Sequence, residues 1–203
     1  MRASRNGGRV KTSGVNLALL FAPLFALTVQ AAEIALSDVD GGMHRPLADS
    51  GQAATVLIFV MHDCPIANAY APEISRIAGE YGRRRVRTYV VYGEDDLSPA
   101  GARKHAREYA NRCPALLDPQ RALTRKAGAT VSPEAVVFSP KGEVLYRGRI
   151  DDRAIAPGKH RAEPRQHDLR EALEAILAGK PVRERFTKAI GCYLPELSQK
   201  IRP

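Results

Sequence analysis

The sequence predicts an α/β protein, a three-layer sandwich in which a mixed central sheet carries helices on both faces. Three observations predict it. The β-rich runs at residues 55–61 and 86–91 are separated by a helical stretch, so they need a crossover and pair in parallel. A second helical stretch leads to a third β-rich run at residues 115–117. The runs at 135–138 and 143–150 meet at Ser139-Pro140-Lys141-Gly142, a turn that makes them an antiparallel hairpin.

Each element has its own reason. Residues 33–36 and 44–47 flank Asp40-Gly41-Gly42 and read as a short hairpin. From Pro65, the apolar residues Ile66, Tyr70, Ile74, Ile77 and Tyr81 recur at helical spacing until Gly82. Residues 99–110 form a second helix with Ala102, Ala106, Tyr109 and Ala110 on one face, and a brief helical stretch after Asp118-Pro119 ends at Ala127 before Gly128. The last helix, residues 168–178, carries the stripe Leu169, Ala172, Leu173, Ile176 and Leu177 and stops at Gly179. Residues 151–167 lack apolar periodicity and hold Arg153, Lys159, His160, Arg161 and Arg165 with Pro157 and Pro164. Such a segment is either a recognition loop at the edge of a site or a solvated insertion.

Arg2, Arg5, Arg9 and Lys11 precede fifteen residues from Val15 to Val29, with Ala31 and Ala32 following. This reads as a signal peptide over residues 1–31, since the apolar stretch falls short of the roughly 20 residues that span a bilayer. The expected organisation is therefore a signal peptide, one domain over 32–179 and a C-terminal tail over 180–203. The product is periplasmic or secreted, with no stable membrane anchor after cleavage. Four of the 31 basic residues and none of the 22 acidic ones fall in that segment, so nearly half of the net charge of +9 is targeting signal. The remaining basic residues are scattered among acids without interleaved aromatics, which argues against nucleic acid as a partner.

The three cysteines, Cys64, Cys113 and Cys192, leave at least one thiol unpaired, and no CxxC is present. Cys64 sits between the first central strand and a helix opening at Pro65. The partial positive charge of a helix N-terminus favours a thiolate, and such settings lower a cysteine pKa from about 8.5 to about 3.5–7.5. Asp63 opposes that effect and a protonated His62 assists it. Cys192 lies in the tail between Gly191 and Pro195, outside any expected regular element. A chain extended from Ala178 at about 3.3 Å per residue reaches roughly 46 Å, far beyond the radius of about 16 Å of a domain this size, so Cys192 can meet Cys64. The bland role for Cys192 is a small buried hydrophobe. Cys113, before Pro114 at the start of a buried strand, reads as a core residue, and His44 and His105 carry no ligand-like spacing, His105 being expected at a helix surface.

A strand leading to Cys64-Pro65-Ile66-Ala67 at a helix start, followed by Val131-Ser132-Pro133 before a strand and hairpin, resembles the thioredoxin superfamily. The run from His62 to Glu73, the run Tyr146-Arg147-Gly148-Arg149-Ile150-Asp151-Asp152 and Gly191-Cys192 are similar to exported redoxins of bacteria, the peroxiredoxin-like or thiol-specific-antioxidant-like proteins. The resemblance implies a cis peptide bond before Pro133 facing the cysteine, with the backbone of Ser132 available to pair with a substrate segment and Pro65 beside it. It also implies a redox enzyme without a bound cofactor or metal.

Departures from the family patterns constrain the chemistry. Ala67 stands where thioredoxin has its second cysteine, and Ile58 where it buries an acid. The threonine and proline of the peroxiredoxin pocket are replaced by Met61 and Leu57, so any peroxidase activity is expected to be weak. Copper chaperones of this fold carry a second cysteine four positions on, where this chain has Asn68. The expected activity is thiol–disulfide exchange or weak peroxide reduction, with Cys64 as nucleophile and Cys192 as resolving thiol, acting on a protein disulfide or a peroxide and recharged by a thiol reductant. The alternatives are a Cu(I) site made of Cys64, Cys192 and one of His62, His160 or His167, or a partner-binding domain without turnover.

Overall fold

The computed structural model describes Met1 and residues 33–194. The expected signal peptide and the end of the tail, residues 195–203, lie outside the described residues. Among the described residues no helix is long and apolar enough to cross a membrane.

The central sheet has five strands in the order β5-β4-β3-β7-β8. Strands β3 (Ala54–Val60), β4 (Val86–Tyr92) and β5 (Ala115–Leu117) run parallel, while β7 (Glu134–Phe138) and β8 (Val144–Gly148) are antiparallel to their neighbours. Every residue of β3 is buried, as a central strand covered on both faces requires. Alternation along it divides the core. Val56, Ile58 and Val60 pack with α1 (Pro65–Gly82), α2 (Pro99–Glu108) and α4 (Asp168–Leu177), whereas Leu57 and Phe59 pack with Leu123 and Ala127 of α3 (Ala122–Ala127). Helices on both faces complete the three layers predicted from sequence.

The predicted helix ends agree with the structure to within two residues. α1 buries Tyr70, Ile74, Ile77 and Tyr81 of the stripe seen in the sequence, while Ile66 is only partly buried and Ala67 is buried in its place. The N-terminal hairpin is smaller than expected, with β1 (Leu36–Ser37) on β2 (Met43–His44). Its turn is tied by Asp38, whose Oδ1 accepts from the backbone N–H of Asp40 (2.9 Å) and Gly42 (2.8 Å) and whose Oδ2 lies 2.7 Å from His44 Nε2.

Two regions expected to be irregular are structured. Residues 151–167 contain the hairpin β9 (Ala154–Ala156) and β10 (Lys159–His160). The hairpin root is pinned to α1: Tyr70 donates its hydroxyl to Asp151 Oδ1 at 2.6 Å and accepts from the Ala154 N–H at 3.2 Å. The C-terminal arm runs along the free edge of β8, where the Arg147 N–H donates to Arg185 O (2.8 Å) and the Thr187 N–H to Arg147 O (3.1 Å). A Cβ on Gly148 would overlap Thr187, so a side chain there is incompatible with the arm. The arm then pairs as β11 (Cys192–Tyr193) with β6 (Val131–Ser132), in the antiparallel register Cys192↔Ser132 and Tyr193↔Val131. Cys192 thus lies in a strand, contrary to the expectation from its Gly and Pro flanks. Backbone pairing to a partner distant in sequence is what makes it one.

Candidate functional site

Cys64 is the N-cap residue of α1, with φ −81° and ψ 108° and Pro65 opening the helix. Proline is favoured there because its missing N–H would have had no intrahelical partner. The thiol does not cap the helix. It donates to the Ser132 carbonyl at 3.1 Å, and the Cys192 sulfur lies 2.6 Å from its own.

Ser132 holds the loop before Cys64 as well. Its hydroxyl accepts from the Met61 N–H at 2.7 Å, and the Ser132–Pro133 peptide bond is cis, as the resemblance implied. Gly191 lies against this peptide so closely that a Cβ would overlap the Ser132 carbonyl. The structure therefore brings Cys64, Pro65, Ser132, Pro133 and Cys192 into one cluster.

One expectation needs correction. A nucleophilic thiol at a helix N-terminus implies a sulfur open to solvent, but Cys64 is 0% exposed. The reason is the arm itself, since β11 occupies the backbone of β6 that was expected to be open to a substrate segment. The cover is Cys192 and the Ser132 peptide, with Cys192 itself half-buried. Burial, and then the neighbouring Cys64, push the Cys192 thiol up to about 12.

Beside this pair lies a groove of about 490 Å³, predominantly apolar, between Pro65, Ile66 and Tyr70 of α1 and the β9–β10 hairpin, with Cys192 in its wall. Lys159 and His160 of the hairpin also line it. Its volume is typical of a binding cleft.

On the other side of the cysteine loop is a polar network. Glu94, buried, accepts from His62 Nδ1 at 2.6 Å and from the His62 backbone N–H at 3.2 Å. Asn68, in the second turn of α1, donates its amide to His62 O at 3.1 Å and accepts from His105 Nε2 at 2.9 Å. Because the Asn68 amide nitrogen is committed to His62, its oxygen must accept, which places the His105 proton on Nε2 and leaves Nδ1 to accept from Tyr92 at 2.7 Å. The hydrogen bond to Glu94 raises the His62 pKa, burial raises that of Glu94, and burial lowers that of His105.

His105 was expected at a surface and is instead part of this network. Glu94 was not singled out from sequence at all. A signal for it exists: Val60 and Tyr92 are paired on neighbouring parallel strands, so His62 and Glu94, each two residues further on, leave the same carboxyl end of the sheet, where α/β proteins place their sites.

For the Cu(I) alternative, His62 is turned to Glu94, His160 lines the groove and His167 precedes α4. Among the described residues no histidine joins the two sulfurs within 4.8 Å, the one close group being His62, Asp63 and Glu94. Cys113 lies apart, its thiol donating to Asn111 Oδ1 at 3.0 Å, and burial pushes it up to about 12.

A mixed sheet flanked by helices, a cysteine at the first helix N-terminus and a cis-proline strand beside it define a redoxin of the thioredoxin superfamily. The AhpC/TSA family model matches residues 22–147, and the chain belongs to that family. A crystal structure of an uncharacterized conserved protein from Geobacillus kaustophilus is similar, at 28% identity and a TM-score of 0.71 over 83% of this chain and 92% of that one. A hypothetical protein from Sinorhizobium meliloti 1021 has 24% identity and a TM-score of 0.69, over 80% and 90% of the two chains. A putative thiol:disulfide interchange protein, DsbE, from Chlorobium tepidum shares the fold at 17% identity and a TM-score of 0.56, over 72% and 94%. A search of curated proteins finds no match.

Proposed function

We propose that this protein is an exported thiol oxidoreductase, periplasmic or secreted, in which Cys64 is the nucleophile and Cys192 the resolving thiol. The observation that carries the reading is the 2.6 Å approach of the two sulfurs, held by pairing of Cys192 with Ser132. Membership of the AhpC/TSA family and the N-terminal segment with its four basic residues support it.

For a disulfide substrate, the Cys64 thiolate attacks one sulfur and expels the other as a thiolate; Cys192 then attacks the mixed disulfide, releasing the second substrate thiol and leaving a Cys64–Cys192 bridge. For a peroxide, the thiolate attacks an oxygen, an alcohol or water leaves, and the resulting sulfenic acid is attacked by Cys192 with loss of water. Either route oxidises the pair by two electrons, and two thiol equivalents from a reductant return it. Because β11 covers Cys64, a substrate reaches it when the arm lifts from β6.

The experiment is oxidation of the reduced mature protein with a small excess of a disulfide reagent or hydrogen peroxide, followed by peptide mass mapping. A Cys64–Cys192 linkage that is absent in Cys64→Ser and Cys192→Ser supports the cycle. Oxidation that leaves both thiols free rejects it.

A further inference from the structure

We infer that α1 and the β9–β10 hairpin form the docking groove for the reductant of the pair, a dithiol protein that presents an apolar segment carrying a carboxylate, and that its thiolate attacks the Cys192 sulfur. The inference deepens the reading of Cys64 and Cys192 as a bridge-forming pair and rests on it. It also gives a use to residues 151–167, which the sequence leaves between a recognition loop and a solvated insertion.

The two sulfurs differ in what can reach them. Cys64 is 0% exposed, whereas Cys192 is half-buried and forms part of the groove wall. At 2.6 Å apart the sulfurs need little movement to join, so the bridge keeps Cys192 on the groove side. The reductant's thiolate forms a bond to the Cys192 sulfur as the Cys64–Cys192 bond breaks, and Cys64 leaves as a thiolate. The reductant's second thiol then attacks its own sulfur in the mixed disulfide and expels Cys192. Two electrons pass to the pair, the protons of the two reductant thiols end on Cys64 and Cys192, and the reductant leaves as a disulfide.

The groove suits a segment of chain. At about 490 Å³ it is far larger than a sulfur alone needs, and Ile66 and Tyr70 of α1 line it together with Ala154 and Ala156 of β9. Strand alternation turns Ile155 the other way, where it is 38% exposed, so the two small residues line the cleft and leave it open. The Tyr70 hydroxyl holds the hairpin root to α1 through Asp151 and the Ala154 N–H, so the groove exists before a partner arrives, which lowers the cost of binding. Of the side chains that line it, those of Arg153 and Lys159 are cationic and none is acidic. Asp151 takes Arg153 at 3.2 Å, while Lys159 is exposed and makes no ion pair among the described residues. A carboxylate beside apolar side chains complements this lining, and a basic segment would meet like charge.

The test uses the full mature chain with its bridge formed, and as probe a short peptide with one cysteine flanked by leucines and glutamates. Its counterpart carries lysines in place of the glutamates, and dithiothreitol serves as a reductant too small to need the groove. Bridge reduction is followed by acid quench and peptide mass mapping. The acidic peptide is expected on Cys192 at early times, and to reduce the bridge about two- to fivefold faster than its counterpart at low salt, the worth of one exposed ion pair. Lys159→Glu, at an exposed position, is expected to abolish or reverse that preference. Ala156→Phe, which fills the groove, is expected to slow both peptides about tenfold, the worth of one buried apolar side chain. Both variants should leave reduction by dithiothreitol unchanged. Peptide attached to Cys64, equal rates for the two peptides, or equal slowing of peptide and dithiothreitol in the variants overturns the inference. A chain in which no Cys64–Cys192 bridge forms overturns the underlying redox reading instead.

Discussion

Cys192 stands directly opposite Ser132 in the β6–β11 ladder, and Ser132 is also the residue whose carbonyl accepts the Cys64 thiol. One residue therefore sets the positions of both sulfurs. The arm pairs with the backbone that the proposed function assigns to an extended substrate segment, and it presents a cysteine there. On that proposal the arm stands in for a substrate, which accounts for the complete cover of Cys64 by a segment that carries a second thiol.

Gly191 is the position most sensitive to this arrangement. A Cβ there would overlap the Ser132 carbonyl, so the arm has to move away from β6 to admit one. Gly191→Ala is expected to slow Cys64–Cys192 bridge formation at least about tenfold while costing about 1–3 kcal/mol of stability, the usual range for overpacking. Stopped-flow oxidation and denaturant unfolding read the two effects separately.

Cys113 provides the internal control. Burial pushes its thiol up, as it does that of Cys192, but Cys113 donates to Asn111 while Cys192 lies against the Cys64 sulfur. It is expected to resist alkylation in the native state, to be modified fully after denaturation, and to leave the rate of bridge formation unchanged when replaced by Ser. Mass mapping of labelled peptides checks all three.

How much of this was readable from sequence depends on how local each feature is. The α1 stripe of Tyr70, Ile74 and Ile77, the strand leading to Cys64 and the Pro140-containing hairpin are set by neighbours within a few residues, and their periodicity shows them. The two-residue strand at Cys192 is invisible to periodicity, because Gly191 and Pro195 look like loop and the pairing partner is sixty residues away. The β9–β10 hairpin hides for a similar reason: Ala154–Ala156 and Lys159–His160 do not alternate, and its anchor is a tyrosine on another element. Glu94 meets His62 only through the register of β4 on β3, a long-range fact. His105 looked like a surface residue because its partners, Tyr92 and Asn68, come from two different elements.

His105 makes a prediction of its own. Burial holds its pKa below the ordinary 6.5, so between its folded value and about 6.5 the unfolded chain binds the proton and the folded chain does not. Stability from this group is then present above about pH 6.5 and falls as the pH drops through that window. His105→Gln is expected to flatten that part of the profile, as measured by chemical denaturation between pH 5 and 7, and the His105 ring is expected to titrate below 6.5 by NMR.

The groove beside Cys192 depends on Tyr70. Its hydroxyl is bonded at once to Asp151 Oδ1 and to the Ala154 N–H, and the Arg153 guanidinium lies 5.4 Å from the centre of its ring. Removing the hydroxyl takes one of two donors from Asp151 Oδ1, which keeps the Arg153 N–H at 2.9 Å, and leaves the Ala154 N–H without its acceptor at the root of the β9–β10 hairpin, a loss worth about 1–3 kcal/mol. The Tyr70 hydroxyl bonds to Asp151 and Ala154 and to neither sulfur, so Tyr70→Phe should leave the alkylation rate of Cys64 in the Cys192→Ser background unchanged. If the groove is where a reductant approaches Cys192, the same substitution should slow reduction of the Cys64–Cys192 bridge by a bulky protein dithiol while leaving dithiothreitol unaffected. Equal slowing with both reductants would place the effect in the pair itself, and no slowing with either would remove the groove from the reductive half of the cycle.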